Sequence, residues 1–127
     1  MDFNSILIGS EDPDRLVEYY TRLFGTPAMS DGGYTGWQLG AGWVTVGPHT
    51  EVKGKNAHPG RVIWNIETKD VAGDFARFKA AGAIVIAEPY GFDGDDTGAS
   101  IATLADPDDN YFQLMSPMDP TATSLPG

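Results

Sequence analysis

The amino-acid sequence predicts an α+β fold built from two βαβββ modules in one domain, and three observations carry that expectation. Each half opens on a short β-type run, FNSILIG and then RVIWNIE, and each run leads directly into a helical pattern. Superposing Asp12 on Asp70 lays Ile8 on Ile66 and Tyr20 on Phe78, an internal repeat with an offset of 58 residues. After each helical pattern come short β-type runs punctuated by glycine, MSDGGYTGWQLGAGWVTVG in the first half and AIVIAEPYGFDGDDTGASIATLADPDDNYFQLMS in the second.

The helices are legible from their ends. Asp12-Pro13-Asp14 offers a capping carboxylate, a proline for the first helical position and a second acid where the helix dipole favours it. Leu16, Val17, Tyr20, Leu23 and Phe24 then recur at helical spacing, and Gly25 supplies the stop. Asp70 opens the second helix in the same way, with Val71, Phe75 and Phe78 on one face and Gly82 beyond its end. The last strands of the halves match with an offset of 68, Trp43 to Val46 on Tyr111 to Leu114. The second copy is therefore ten residues longer, mainly in EPYGFDGDDTG. These matches divide the chain into module one (1–47), a linker (48–60), module two (61–118) and a tail (119–127) expected to fray. The linker GPHTEVKGKNAHPG is polar and without period.

Composition excludes several function classes. Eighteen acidic against eight basic residues leave a formal charge of −10, which opposes nucleic-acid binding because phosphate contact needs clustered Lys and Arg. With no cysteine there is neither a disulfide framework nor a thiolate metal site nor a thiol nucleophile. No apolar run approaches the length of a membrane span, and the first residues lack a basic leader, so a cytoplasmic protein without a membrane role is expected. No Gly-rich nucleotide fingerprint and no GxSxG elbow is present, so neither a nucleotide cofactor nor a serine hydrolase is expected.

Strand alternation sorts the side chains into two faces. Ile6, Ile8, Val44, Val46, Val62, Trp64, Ile66, Phe112 and Leu114 form an apolar set suited to packing under the helices. The opposite set mixes types: Ser5, Leu7, Gly9, Trp43, Thr45, Arg61, Ile63, Asn65, Glu67, Tyr111, Gln113 and Met115. A face that combines aromatic, amide, hydroxyl and charged groups suits a ligand site, a solvated sheet or a subunit interface. Glu67 and Tyr111 are its candidates for proton transfer, and Arg61 for anchoring an acid. Tyr90 and Phe92, in the 88–98 loop, are candidates for an aromatic flap over such a site. His49 and His58 both fall in the linker, at a spacing that suits neither a helical nor a strand pair of metal ligands.

The module pair, the DP-containing helix start running from Ile8 to Gly25, and ADPDDNYFQL together resemble the vicinal oxygen chelate superfamily of glyoxalases, bleomycin-resistance proteins and extradiol dioxygenases. The resemblance spans about residues 3–118 and implies a curved mixed sheet around a cavity. Asp109 departs from the pattern, which places Gly in that turn. Metal-binding members carry a His, Gln or Glu on the first and last strand of each module, and those positions correspond here to Ser5, Thr45, Ile63 and Gln113. Two neutral hydroxyls, an alkyl chain and an amide lack the charge a divalent metal needs, so no metal and no other cofactor is expected. The resemblance implies a homodimer that binds a small organic molecule without metal, as in the bleomycin-resistance branch, and the π faces of Trp43, Tyr111, Tyr90 and Phe92 together with the charge of −10 lead to the expectation of an aromatic or cationic ligand. The alternative it leaves open is a divergent lyase, isomerase or dioxygenase, metal-dependent or not.

Overall fold

A computed structural model describes residues 1–91 and 99–117. Phe92 and the tail therefore lie outside the described residues. In chain order the elements are β1 (Ser5–Ser10), α1 (Pro13–Phe24), β2 (Met29–Asp31), β3 (Tyr34–Leu39), β4 (Gly42–Pro48), β5 (Trp64–Glu67), α2 (Val71–Ala80), β6 (Ile84–Gly91), β7 (Ser100–Ala105) and β8 (Tyr111–Met115). They build two four-stranded mixed sheets, ordered β1-β4-β3-β2 and β5-β8-β7-β6, each with one helix. In each sheet the first strand runs parallel to the last, and the remaining pairs are antiparallel. The repeat extends to register: Ile6 lies opposite Val44 and Trp64 opposite Phe112.

The two modules share one core. Tyr20 on α1 lies at the centre of an aromatic cluster, with its ring 5.5 Å from Phe24, 6.0 Å from Trp37 and 5.9 Å from Phe112. Trp64 stacks on Phe112 at 5.0 Å, and Phe24 meets Phe78 of α2 at 5.8 Å. Each large buried ring contributes on the order of 1.5–3 kcal/mol by leaving water. Because α1 packs on Val44 and Val46 of its own sheet and also on Phe112 of the other, separating the modules would expose this cluster. Polar contacts follow the same seam. Tyr19 Oη donates to the Ala105 carbonyl at 2.6 Å and accepts from the Ile84 N–H at 3.0 Å, and Arg77 donates to the Leu23 carbonyl at 3.1 Å.

Four local differences from the sequence reading have physical causes. The run from Arg61 to Glu67 becomes strand only at Trp64, because the Arg61 N–H turns back to the His58 carbonyl and the ladder with β8 starts at Phe112. Val62, expected under the helices, is consequently 65 % exposed. At α1 the Asp12 side chain makes no capping bond; Ser10 Oγ accepts the Asp12 N–H instead, at 3.0 Å. At α2 the expected cap forms, with Asp70 Oδ1 accepting from the Gly73 N–H at 2.9 Å. Finally, β6 runs on to Gly91, so Tyr90 belongs to a strand and is exposed. Among the described residues no helix is long and apolar enough to cross a membrane.

Candidate functional site

β1 and β5 are each the outer strand of a sheet, and both border the same two clefts. Ile6, Val62 and Trp64 line both clefts. The larger cleft, about 800 Å³, gathers Trp43, Ile63, Asn65 and Glu67 with Phe3 and Leu39. The smaller, about 420 Å³, gathers Leu7, Gly9, Trp64, Asn110 and Tyr111 with part of the linker. Both volumes lie within the roughly 300–1,000 Å³ typical of small-molecule sites.

The sequence-derived candidates thus divide. Trp43, Ile63, Asn65 and Glu67 meet in one cleft and Tyr111 stands in the other; Ser5, Thr45, Arg61, Gln113, Met115 and Tyr90 border neither. Thr45 Oγ1 donates to the Ile6 carbonyl at 3.1 Å, and Gln113 Nε2 donates to Thr103 Oγ1 at 3.0 Å. Within the strand pairs Thr45 lies opposite Leu7 and Gln113 opposite Asn65, while Ser5 lies opposite Trp43. Arg61 is exposed in the bend ahead of β5. Glu67 and Tyr111, the proton-transfer candidates, occupy different clefts and so cannot serve one reacting atom within this chain.

Pattern reading missed the linker wall. Residues 51–56 line the smaller cleft and are held by their contacts with the rest of the fold. The Asn56 N–H donates to the Asp108 carbonyl at 2.8 Å, Asn56 Nδ2 donates to Asn110 Oδ1 at 3.2 Å, and the Gly54 N–H donates to Glu11 Oε1 at 3.2 Å. His49 crosses directly over β1: a Cβ on Gly9 would lie 2.9 Å from the His49 Cβ. The sequence signals were Gly9 itself and the asparagine at 56, neither of which announces a distant partner.

The turn that delivers Tyr111 to the cleft is organised by two buried carboxylates. Asp106 accepts from Tyr20 Oη at 2.7 Å, from the Asp108 N–H at 2.8 Å, and from the Asn110 N–H and Nδ2, each at 3.0 Å. Asp108 accepts from Ser10 Oγ at 2.6 Å and pairs with Arg15. Burial pushes the Asp106 carboxyl up from the ordinary carboxylate range, against the hydrogen bonds that favour its charged form. Burial also raises the Tyr20 hydroxyl well above its ordinary value, and the neighbouring Asp106 charge raises it further. Asp109 completes the turn at φ 63°, a left-handed conformation that an Asp adopts more readily than most residues.

Residues 5–115 match the model of the glyoxalase-like domain, and the chain belongs to that family. Solved structures agree on the fold. One is a glyoxalase/bleomycin resistance protein/dioxygenase family enzyme from Burkholderia phytofirmans, 21 % identical, with TM-score 0.68 over 93 % of this chain and 100 % of that one. TioX from a Micromonospora species is also 21 % identical, with TM-score 0.67 over the same shares. A glyoxalase-related enzyme from Fulvimarina pelagi is 17 % identical, with TM-score 0.70 over 92 % of this chain and 88 % of that one. A search of curated protein sequences found no match. At these identities the structural likeness establishes the fold alone, consistent with the vicinal oxygen chelate superfamily.

Proposed function

We propose that the protein is a metal-independent small-molecule-binding member of the glyoxalase and bleomycin-resistance type, taking a ring-bearing organic ligand between its β1 and β5 edges. The carrying observation is the donor set at the four positions where metal-binding members place ligands. Ser5, Thr45, Ile63 and Gln113 present no charge, Ile63 has no ligating atom, the Thr45 hydroxyl donates to the Ile6 carbonyl, and Gln113 Nε2 donates to Thr103. Among the described residues no three His, Asp or Glu side chains come close enough to hold a metal elsewhere. A divalent ion does not fit such a set. The clefts instead offer Trp43, Trp64 and Tyr111, whose flat faces suit ring stacking.

A homodimer belongs to the same reading. Ile84, Ile86 and Tyr90 are large apolar side chains left exposed, and β2 and β6 end their sheets without a strand partner among the described residues. A symmetric second copy covers such faces and edges. Sedimentation at micromolar concentration should give twice the chain mass, and a monomer would remove this part of the proposal. Ligand binding itself is tested by tryptophan fluorescence during titration with ring compounds. Trp43→Phe should abolish the Trp43 share of the response, and an identical response in that variant would exclude the larger cleft.

A further inference from the structure

The smaller cleft has an unequal stock of hydrogen-bonding groups. Its side-chain acceptors are largely engaged: Asp108 by Ser10 and Arg15, Asn110 Oδ1 by Asn56, and Asn56 Oδ1 by the His58 N–H. Its donors are not. Among the described residues the Tyr111 hydroxyl has no hydrogen-bond partner and Lys55 no ion-pair partner, whereas Lys53 faces Glu11 at 3.8 Å. Trp64, which lines both clefts, carries a buried Nε1–H with no acceptor among the described residues. Among the described residues the Glu51 carboxylate is also unpaired, and it is exposed as Lys55 is. Beside these donors lies apolar surface that water contacts freely, Leu7 at 51 % and Val62 at 65 % exposure.

We propose that this cleft binds an apolar organic acid, its ring or alkyl body on Leu7, Val62 and Trp64 and its carboxylate toward Lys55 and Tyr111. A ligand that brings acceptors satisfies donors that the protein leaves open, and an apolar body covers the surface that water now contacts. A cationic ligand with the same body covers that surface, but it leaves the Lys55 and Tyr111 donors open and meets Lys55 with like charge, with Glu51 as its counterion on the wall. The overall charge of −10 acts over long range and is screened within about 10 Å at ordinary salt, so the groups at the cleft set the preference. The proposal rests on the metal-independent binding reading and names its ligand class.

The test titrates the metal-free full-length protein with naphthoate, naphthamide and naphthylmethylammonium, which share one ring system and differ in charge. Binding is read by calorimetry and by the Trp64 indole N–H resonance, assigned with Trp64→Phe. Naphthoate should bind about tenfold more tightly than naphthamide, and naphthylmethylammonium most weakly. Lys55→Met and Tyr111→Phe should each weaken naphthoate by about five- to tenfold while leaving naphthamide within about twofold. Both positions lie outside the buried core, so the variants keep the fold, and the naphthamide titration confirms it. Equal affinity for acid and amide, tighter binding of the ammonium, or an acid preference that survives Lys55→Met overturns the ligand class and leaves small-molecule binding standing. Failure of all three compounds to bind at millimolar concentration overturns the class together with ring binding at this cleft.

Discussion

Replacing Asp106 by Ala tests the cross-module turn more sharply than any other single change. The carboxylate is fully buried, and its four donors come from three residues in two modules: Tyr20 on α1, and Asp108 and Asn110 in the turn. Truncation leaves the buried Tyr20 hydroxyl and the Asp108 N–H without acceptors, at about 1–3 kcal/mol each. Against that, the variant no longer buries a carboxylate whose raised pKa shows that its charged form is disfavoured there. The net loss should be about 2–4 kcal/mol, a large fraction of the roughly 5–15 kcal/mol stability of a small domain. Urea unfolding followed by tryptophan fluorescence measures it, at one protein concentration so that any dimer contributes equally. A double-mutant cycle with Tyr20→Phe isolates the pair and should give a coupling of about 1–2 kcal/mol. A loss under about 1 kcal/mol, or additivity within about 0.5 kcal/mol, would refute the argument that this carboxylate joins the modules.

Two further outcomes follow from the same turn. Asp109→Gly relieves a left-handed backbone at φ 63° and adds some chain entropy to the unfolded state; a net stabilisation of about 0.5–1 kcal/mol should raise Tm by a few degrees. A lowered Tm would show that the Asp side chain holds the turn. The Tyr20 hydroxyl titrates higher in the folded chain than in the unfolded one, so the folded state binds the proton more tightly. Stability is therefore intact below the ordinary tyrosine range and falls as pH rises through it. Unfolding free energy measured from pH ~8 to ~11 should decline more steeply for the wild type than for Tyr20→Phe, with Tyr19 contributing a smaller decline in both. Parallel declines would contradict the assignment.

What the sequence disclosed tracks what is local. Pro13 and Gly25 bound α1 through backbone preferences that act within a turn, so the helix lies where they put it although Asp12 makes no side-chain cap. The alternation of β8 assigned Phe112 and Leu114 to the core and Tyr111, Gln113 and Met115 to the other face, in keeping with their burial. Val62 was misplaced because strand character needs a partner, and no β8 ladder reaches that far. The wall formed by Val52, Lys55 and Asn56 was illegible for a related reason. Its position depends on bonds to Asp108 and Asn110, more than fifty residues away, and a polar stretch without period carries no trace of them. The family resemblance pointed to the faces of β1, β4, β5 and β8, yet the split of those side chains between two clefts follows from the unpaired edges of β1 and β5.

Binding without metal is open to a single titration. Naphthoate affinity is measured by calorimetry on chelator-treated protein and again after adding one equivalent each of zinc, manganese, iron(II) or nickel. The same Kd within about twofold is expected in every arm, with well under one equivalent of metal retained on desalting, because Ser5, Thr45, Ile63 and Gln113 lack the charge that holds a divalent ion. Binding that disappears with the chelator, returns with one equivalent of a particular metal, and loses that metal in Gln113→Ala would contradict it.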